Sequence, residues 1–177
     1  FAGLLSTDAL GALSAATFFV WMFFSFSAMN SIGVMSKIAQ AVGAGDQALV
    51  NAIVRKGLLS AILPGIGISG LLIVVSQIGL GVLELPASVE MGVSDYLFYL
   101  ALLGPFLWIF DTLDCVFRGT GDTKTPLKLL LFFVVLNVFL NGGFAMGWGP
   151  FPQLGIPGIA LATGSSWLLG SIAMFVI

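Results

Sequence analysis

From Ala9 to Ser36, and again from Gly57 to Leu83, the chain runs without a single charged residue. A helix needs ~20 apolar residues to cross the ~30 Å hydrocarbon of a bilayer, and each run exceeds that. Together they predict spans at about 10–37 and 56–83. Three further apolar stretches predict spans at about 94–118, 126–147 and 157–177. The fold class that follows is an all-α membrane protein with five transmembrane helices. Composition agrees: 8% of the 177 residues are charged and 59% apolar, whereas a soluble domain carries about 25% charged residues. Pro64-Gly65-Ile66-Gly67 is expected to kink the second span.

The connections sort by sign. All six cations fall between the first and second spans (Lys37, Arg55, Lys56) or between the third and fourth (Arg118, Lys124, Lys128). The second-to-third connection carries Glu84, Glu90 and Asp95 without a cation, and the fourth-to-fifth has no charge. The positive-inside rule makes the two cation-bearing connections cytoplasmic. The protein is expected in a plasma or bacterial inner membrane, a plastid envelope being the other option. Phe1 in place of Met, and Ile177 inside an apolar run, read as part of a larger polytopic protein without a signal peptide.

Several chemistries fall away. The chain has no His and a single Cys, Cys115, so His-based triads, disulfide frameworks and thiolate metal clusters within it are excluded. A net charge of −2 gives no reason to expect nucleic acid. Neither an enzyme nor an organic cofactor is expected.

Two carboxylates stand out against this background. Asp111 and Asp114 lie three apart, on one face of the third span. An ionised carboxylate at the bilayer centre costs roughly 2.5–3.5 kcal/mol on insertion scales, so it usually faces a partner, a cavity or a transported ion. Asp114 also lies four residues before Arg118 and can simply pair with it.

Both inward connections contain Gly-x-Gly-Asp: GAGD at 43–46 and GTGD at 119–122. Glycine can adopt the left-handed conformation that ends one helix, and aspartate can cap the next. Pro126 suits the opening of the fourth helix. GTGDTKTP lacks the Gly-Lys-Ser/Thr ending of a P-loop, and it follows a membrane helix rather than a strand. Nucleotide binding is therefore not expected.

The order of motifs resembles one family. AQAVGAGDQALVNAIVRKGL, FRGTGDTKTPLK, the pair Asn137 and Asn141, and GPFPQLGIPGIALAT are similar to the amino-terminal half of multidrug and toxic compound extrusion (MATE) transporters. The resemblance spans nearly the whole chain, and its signature turn comprises Arg118, Gly119, Gly121, Asp122 and Pro126. It implies a twelve-helix, two-lobe transporter. Phe1–Ala9 would then be the outer end of family helix one and the five spans helices two to six. The chain would be a partial amino-terminal lobe, with a carboxy-terminal lobe of the same protein as its partner.

The resemblance also implies a cation site. The family's helix-five pair falls on Asn137 and Asn141, its helix-six Thr on Thr163, and its helix-four position at or near Asp114. A helix-one carboxylate would precede Phe1. Asn141 stands where the family pattern has Asp, and Asp114 where it has Asn, as if a carboxylate had moved between neighbouring helices. Asp111 joins the set as a second carboxylate. The coupling ion is H⁺ or Na⁺: oxygen ligands at Asp114, Asn137, Asn141 and Thr163 suit a hard cation, and paired carboxyls suit a proton. Ser27, Asn30, Ser31, Tyr96 and Tyr99 are candidates to line a substrate cavity.

The function implied is antiport, exporting small amphiphilic, cationic organic compounds against protons or sodium across the bilayer. Two alternatives stay open. A lipid-linked oligosaccharide flippase of the same superfamily would need buried Arg or Lys for a pyrophosphate, and all six cations stand at or outside the ends of the predicted spans rather than in their interiors. A channel or scaffold would have no use for Asp111.

Overall fold

The computed structural model describes residues 2–177, the side chains of Ala2, Gly79 and Val82 excepted. Six α-helices follow one another: α1 (Ala2–Leu5), α2 (Thr7–Gly43), α3 (Gln47–Val74), α4 (Ala87–Gly119), α5 (Lys124–Met146) and α6 (Ile156–Val176). No strand occurs among the described residues. Helix is the form that satisfies every backbone N–H and C=O within one segment, as hydrocarbon requires. Five of the helices, α2 to α6, are long and apolar enough to cross a membrane.

The chain break near the amino terminus falls at Ser6, whose hydroxyl accepts the Ala9 N–H at 2.9 Å and caps α2. The stretch 1–9, expected as the end of a preceding helix, therefore divides. Ala2–Leu5 form a short helix of their own, residues from Thr7 already belong to α2, and Phe1 lies outside the described residues.

The helices overrun the spans read from charge. With 37 residues α2 is ~55 Å long, and α4 with 33 is ~50 Å. Both exceed the ~30 Å of hydrocarbon. The second span starts at Gln47, nine residues before the expected 56, because Arg55 and Lys56 lie inside α3 rather than ahead of it. All six cations lie within helices, gathered at one end of the bundle. The expected kink at Pro64-Gly65-Ile66-Gly67 does not break α3, which remains α-helical through the run. The irregularity comes later, as a π-turn at Val75–Gly79 followed by a 3₁₀ turn at Leu80–Leu83.

The two Gly-x-Gly-Asp turns are built alike. At the first, Gly45 is left-handed (φ +70°), its N–H donates to Val42 O, and the Asp46 N–H reaches back to Ala41 O. At the second, Gly121 has φ +92°, and the same two bonds run from Gly121 to Arg118 and from Asp122 to Phe117. This is the Schellman end, in which a left-handed glycine lets the last carbonyls of a helix find donors. Asp46 then accepts the Leu49 N–H at 2.9 Å, and Asp122 accepts from Lys124 and Thr125 N–H at 3.0 Å. Pro126 is the third residue of α5, where a missing N–H leaves no bond unmade.

Helix α4 is the centre of the bundle, packed against α2, α3 and α6, while α5 packs mainly on α6. Small residues allow the close approaches. A Cβ on Gly104 would lie 2.4 Å from Ser69 Oγ on α3, and one on Gly158 would lie 2.2 Å from the Phe144 carbonyl of α5. Such contacts are the usual substitute for hydrophobic drive between helices in lipid. The main core joins Phe23 of α2, Ala61 of α3, Leu97, Leu100 and Trp108 of α4, and Ala160 of α6. The remaining apolar side chains point outward: Phe18, Met29, Leu63 and Phe175 are each at least 70% exposed. Exposure on that scale suits hydrocarbon rather than water.

Candidate functional site

The candidate residues fall into two groups on different helix pairs. The first lies between α2 and α4 around Asp111. Ser27 and Ser31 stand one turn apart on α2, both fully buried, and their hydroxyls lie 2.8 and 2.9 Å from Asp111 Oδ2. Ser31 Oγ also lies 3.3 Å from Thr112 Oγ1, which accepts from the Asn30 amide at 3.3 Å. Ser60 of α3 donates in turn to Asn30 Oδ1 at 2.8 Å. A continuous polar chain therefore links α3, α2 and α4 inside an otherwise apolar bundle.

Asp114 is buried, and its carboxylate pairs with Arg118 one turn on, whose side chain is half exposed. The simple i,i+4 pairing is the arrangement adopted. Ligand atoms of Asp111, Asp114 and Cys115 lie within 4.8 Å of one another, so the node holds two carboxylates and one guanidinium. Cys115 is a free, buried thiol.

The second group joins α5 to α6. The Asn137 amide donates to Ser166 Oγ at 3.2 Å, and the Asn141 amide donates to Asn137 O and Oδ1, each at 2.9 Å. Asn141 Oδ1 is buried without a hydrogen-bond partner. An acceptor left so costs about 1–3 kcal/mol and marks a place where a donor or cation would be welcome. Thr163 gives its proton to the Ile159 carbonyl at 3.0 Å, leaving only its oxygen lone pairs outward.

Asn137, Thr163 and Ser166 form the polar side of a cavity of about 280 Å³ enclosed by α2, α4, α5 and α6. Its other walls are largely aromatic: Phe24, Tyr96, Phe110, Phe133 and Trp167. Phe24 and Trp167 meet edge to face at 5.6 Å. A small pocket mostly apolar, with a few convergent polar groups, is the usual form of a small-molecule site.

Hydrogen bonding divides the five residues expected to share one cation site into two groups, Asp111 beside Asp114 and Asn137 beside Asn141, with Thr163 bonded to its own helix. Among the described residues no hydrogen bond joins Asp111 or Asp114 to Asn137, Asn141 or Thr163. Asp114 turns to Arg118, because the i,i+4 partner on its own helix is nearer than an amide two helices away. Ser27, Asn30 and Ser31, expected on a substrate cavity, serve the Asp111 network instead, since that stripe of α2 faces α4. Tyr96 does line the cavity, whereas Tyr99 packs on the core and against Phe98 at 5.4 Å. Sequence reading passed over Thr112, Ser60 and Ser166. Ser166 had a signal, standing three residues after Thr163 and therefore on its face; Ser60, 30 positions from Asn30, had none.

Comparison with known proteins adds identity to this geometry. The family description MatE matches residues 1–142. The chain belongs to the MatE family. Among curated relatives of this MATE chain, the FAD transporter of Shewanella oneidensis is 32% identical over 93% of the chain and 36% of the relative. Probable multidrug resistance protein YoeA of Bacillus subtilis is 30% identical over 98% of the chain and, again, 36% of the relative. In fold, the chain is similar to an outward-facing multidrug resistance MATE family transporter of the MOP superfamily, with TM-score 0.88 at 20% identity. The match covers 98% of this chain and 38% of the other. A MOP superfamily transporter from Pyrococcus furiosus, described as having a binding pocket of reverse polarity, matches with TM-score 0.85 at 22% identity, covering 98% of this chain and 37% of that one. The chain thus spans little more than a third of the relatives it matches. Family and five apolar helices together make it a multi-pass integral membrane protein.

Proposed function

We propose that this chain forms most of the amino-terminal lobe of a two-lobe MATE antiporter. It exports amphiphilic, cationic organic compounds in exchange for one monovalent cation taken at Asp111. The cation-rich turns face the cytoplasm, as the sign of their charges favours. The observation that carries this reading is the Asp111 node. Two carboxylates face a single guanidinium, so one positive charge is lacking, and a proton or a sodium ion would supply it.

Hydrogen-bond arithmetic favours the proton. Ser31 has one hydroxyl hydrogen but lies within reach of both Asp111 Oδ2 and the Ser27 carbonyl, at 2.9 and 3.0 Å. With Asp111 ionised, Ser27 and Ser31 both donate to it. With Asp111 protonated, the carboxyl donates to Ser31, which then donates to the Ser27 carbonyl. Either state is satisfied by a hydroxyl rotation, without moving a helix. A ligand shifts the lobes only by binding one arrangement better than the other. Loss of the Asp111 charge from the α2–α4 contact supplies such a difference.

The aromatic cavity is the cargo side of the proposal. No Lys or Arg lines it, which suits an uncharged or cationic amphiphile better than the pyrophosphate of FAD or of a lipid-linked sugar. The test is efflux from vesicles holding the intact protein. Asp111→Asn should abolish dye export driven by a pH gradient while still yielding an expressed, folded and monodisperse protein. A sodium gradient at constant pH should leave wild-type export nearly unaltered. Undiminished export by the variant would remove Asp111 from the mechanism, and sodium-driven export would replace the proton.

A further inference from the structure

A second cavity adjoins the Asp111 polar chain at its far end. It is a groove of about 530 Å³ between α2 and α3, near the cation-rich end of the bundle. Lys37 of α2 and Lys56 of α3 converge on it from opposite walls, with Asn30 and Ser60 deeper in and Met29 on the apolar side. Among the described residues no carboxylate lies within ion-pair distance of either lysine. Gly33 lines the groove, and a Cβ there would meet nothing within 4 Å, so a larger side chain at this position would project into open space.

We propose that this groove binds the phosphate headgroup of an anionic glycerophospholipid. The two ammonium groups meet the phosphate, the second N–H of Asn30, not used by Thr112, is a further donor, and the acyl chains run along Met29 toward the exposed faces of α2 and α3. Depth and charge argue for lipid. Lys37 directly follows the uncharged run of α2, where headgroups begin, and basic pockets between helices on the positive side of a membrane are where acidic headgroups settle. Water-soluble anions have no reason to prefer a site with an apolar wall. Occupancy would also press on Asn30 and Ser60, the first members of the polar chain that ends at Asp111. The inference does not depend on transport, so it stands or falls separately from the coupling role of Asp111.

The experiment counts phosphatidylglycerol retained by the intact protein, by native mass spectrometry, after extraction from mixed phosphatidylglycerol–phosphatidylcholine bilayers. Lys37→Ala with Lys56→Ala should cut retention roughly tenfold or more, each lysine contributing a severalfold factor. Gly33→Leu keeps both charges but fills the groove, and should cut it similarly. Lys124→Ala with Lys128→Ala, removing equal charge at the same end on α5, should change it less than twofold. Unfolding temperatures of all three variants check that each is folded. Equal loss in the two lysine pairs would reduce the effect to diffuse charge, and no loss in any variant would mean that another part of the protein covers the groove. Either result overturns the proposal. Millimolar inorganic phosphate should leave retention unaltered; displacement by it would assign the groove to free phosphate instead.

Discussion

The α2–α4 contact and the α5–α6 contact solve the same problem with opposite means. Both hold polar groups inside an apolar bundle. Around Asp111 the groups are charged, and hydroxyls from the facing helix satisfy them. Around Asn137 and Asn141 the groups are neutral amides, one acceptor is left over, and the helices touch backbone to backbone at Gly158. A charge in low dielectric tolerates no deficit of partners, whereas a neutral amide can be left one bond short at modest cost. The first contact is therefore suited to registering a positive ion, and the second to shaping a cavity wall with spare acceptors.

The sharpest way to break this comparison is at the backbone contact. Gly158→Val would drive a Cβ to within 2.2 Å of the Phe144 carbonyl oxygen, and backbone cannot step aside as a side chain can. The expected loss is ~4 kcal/mol or more, at the upper end for single substitutions, read as failure to purify a folded monodisperse protein. Its counterpart on α2 is mild. Gly11→Ala meets only Val89 side-chain carbons at 3.6 Å, an ordinary contact, and should leave stability within about 1 kcal/mol, aided by helix propensity.

The hydroxyls test the charge. A hydrogen bond to an ionised acceptor contributes about 1.5–3 kcal/mol, and one to a neutral acceptor about 0.5–1.5. Replacing Ser27 and Ser31 by Ala should therefore cost about twice as much when Asp111 is ionised as in an Asp111→Asn background. Denaturant unfolding of the four proteins completes the cycle. Equal costs in both backgrounds would mean that the serines pack without sensing charge.

Much of the fold was legible because hydrocarbon leaves a chain so few options. Length and apolarity predicted five crossings, and Gly-x-Gly-Asp predicted both turns, including a left-handed glycine and an aspartate cap. Helix ends were not legible, since cations were taken as boundaries while Lys37, Arg55 and Arg118 ride on helices that outrun the bilayer. In the site, Asp111 and Asp114 announced themselves by their cost. Which helix each would face depends on rotation about α4, and no spacing within one helix reveals that. A partner such as Ser60, supplied by a different helix, is visible only once the bundle is assembled.

A smaller effect is expected at the amide contact. Asn137→Ala removes the donor to Ser166 and the Oδ1 that accepts from the Asn141 amide, leaving that amide the Asn137 backbone carbonyl. Interhelical polar bonds in membranes average ≈0.6 kcal/mol and reach ≈1.7, so the cost should fall in that range, below the serine pair. A larger loss in thermal unfolding would show that the second contact carries hidden charge, and the contrast between the two regions would fail.

The least effect lies at the turns, where both regions are anchored. Asp122 is half-buried in the turn, and the Thr125 hydroxyl and N–H, followed by the Lys124 N–H and the Lys128 charge, hold its carboxyl below the ordinary carboxylate range. A lowered folded value means that this cap contributes stability above the ordinary carboxylate value and loses it as pH falls through the lowered one. The pH dependence of that contribution is therefore confined to acid, and through the neutral range in which transport is read it is present in full and constant. Thr125→Val removes the first of these causes but keeps the backbone N–H. The midpoint of the Asp122 carbonyl resonance in a carbon-13 titration should then move upward, toward the ordinary value, without reaching it. An unmoved midpoint would assign the shift to the backbone and Lys128 alone, making this turn depend on its helix rather than on its threonine.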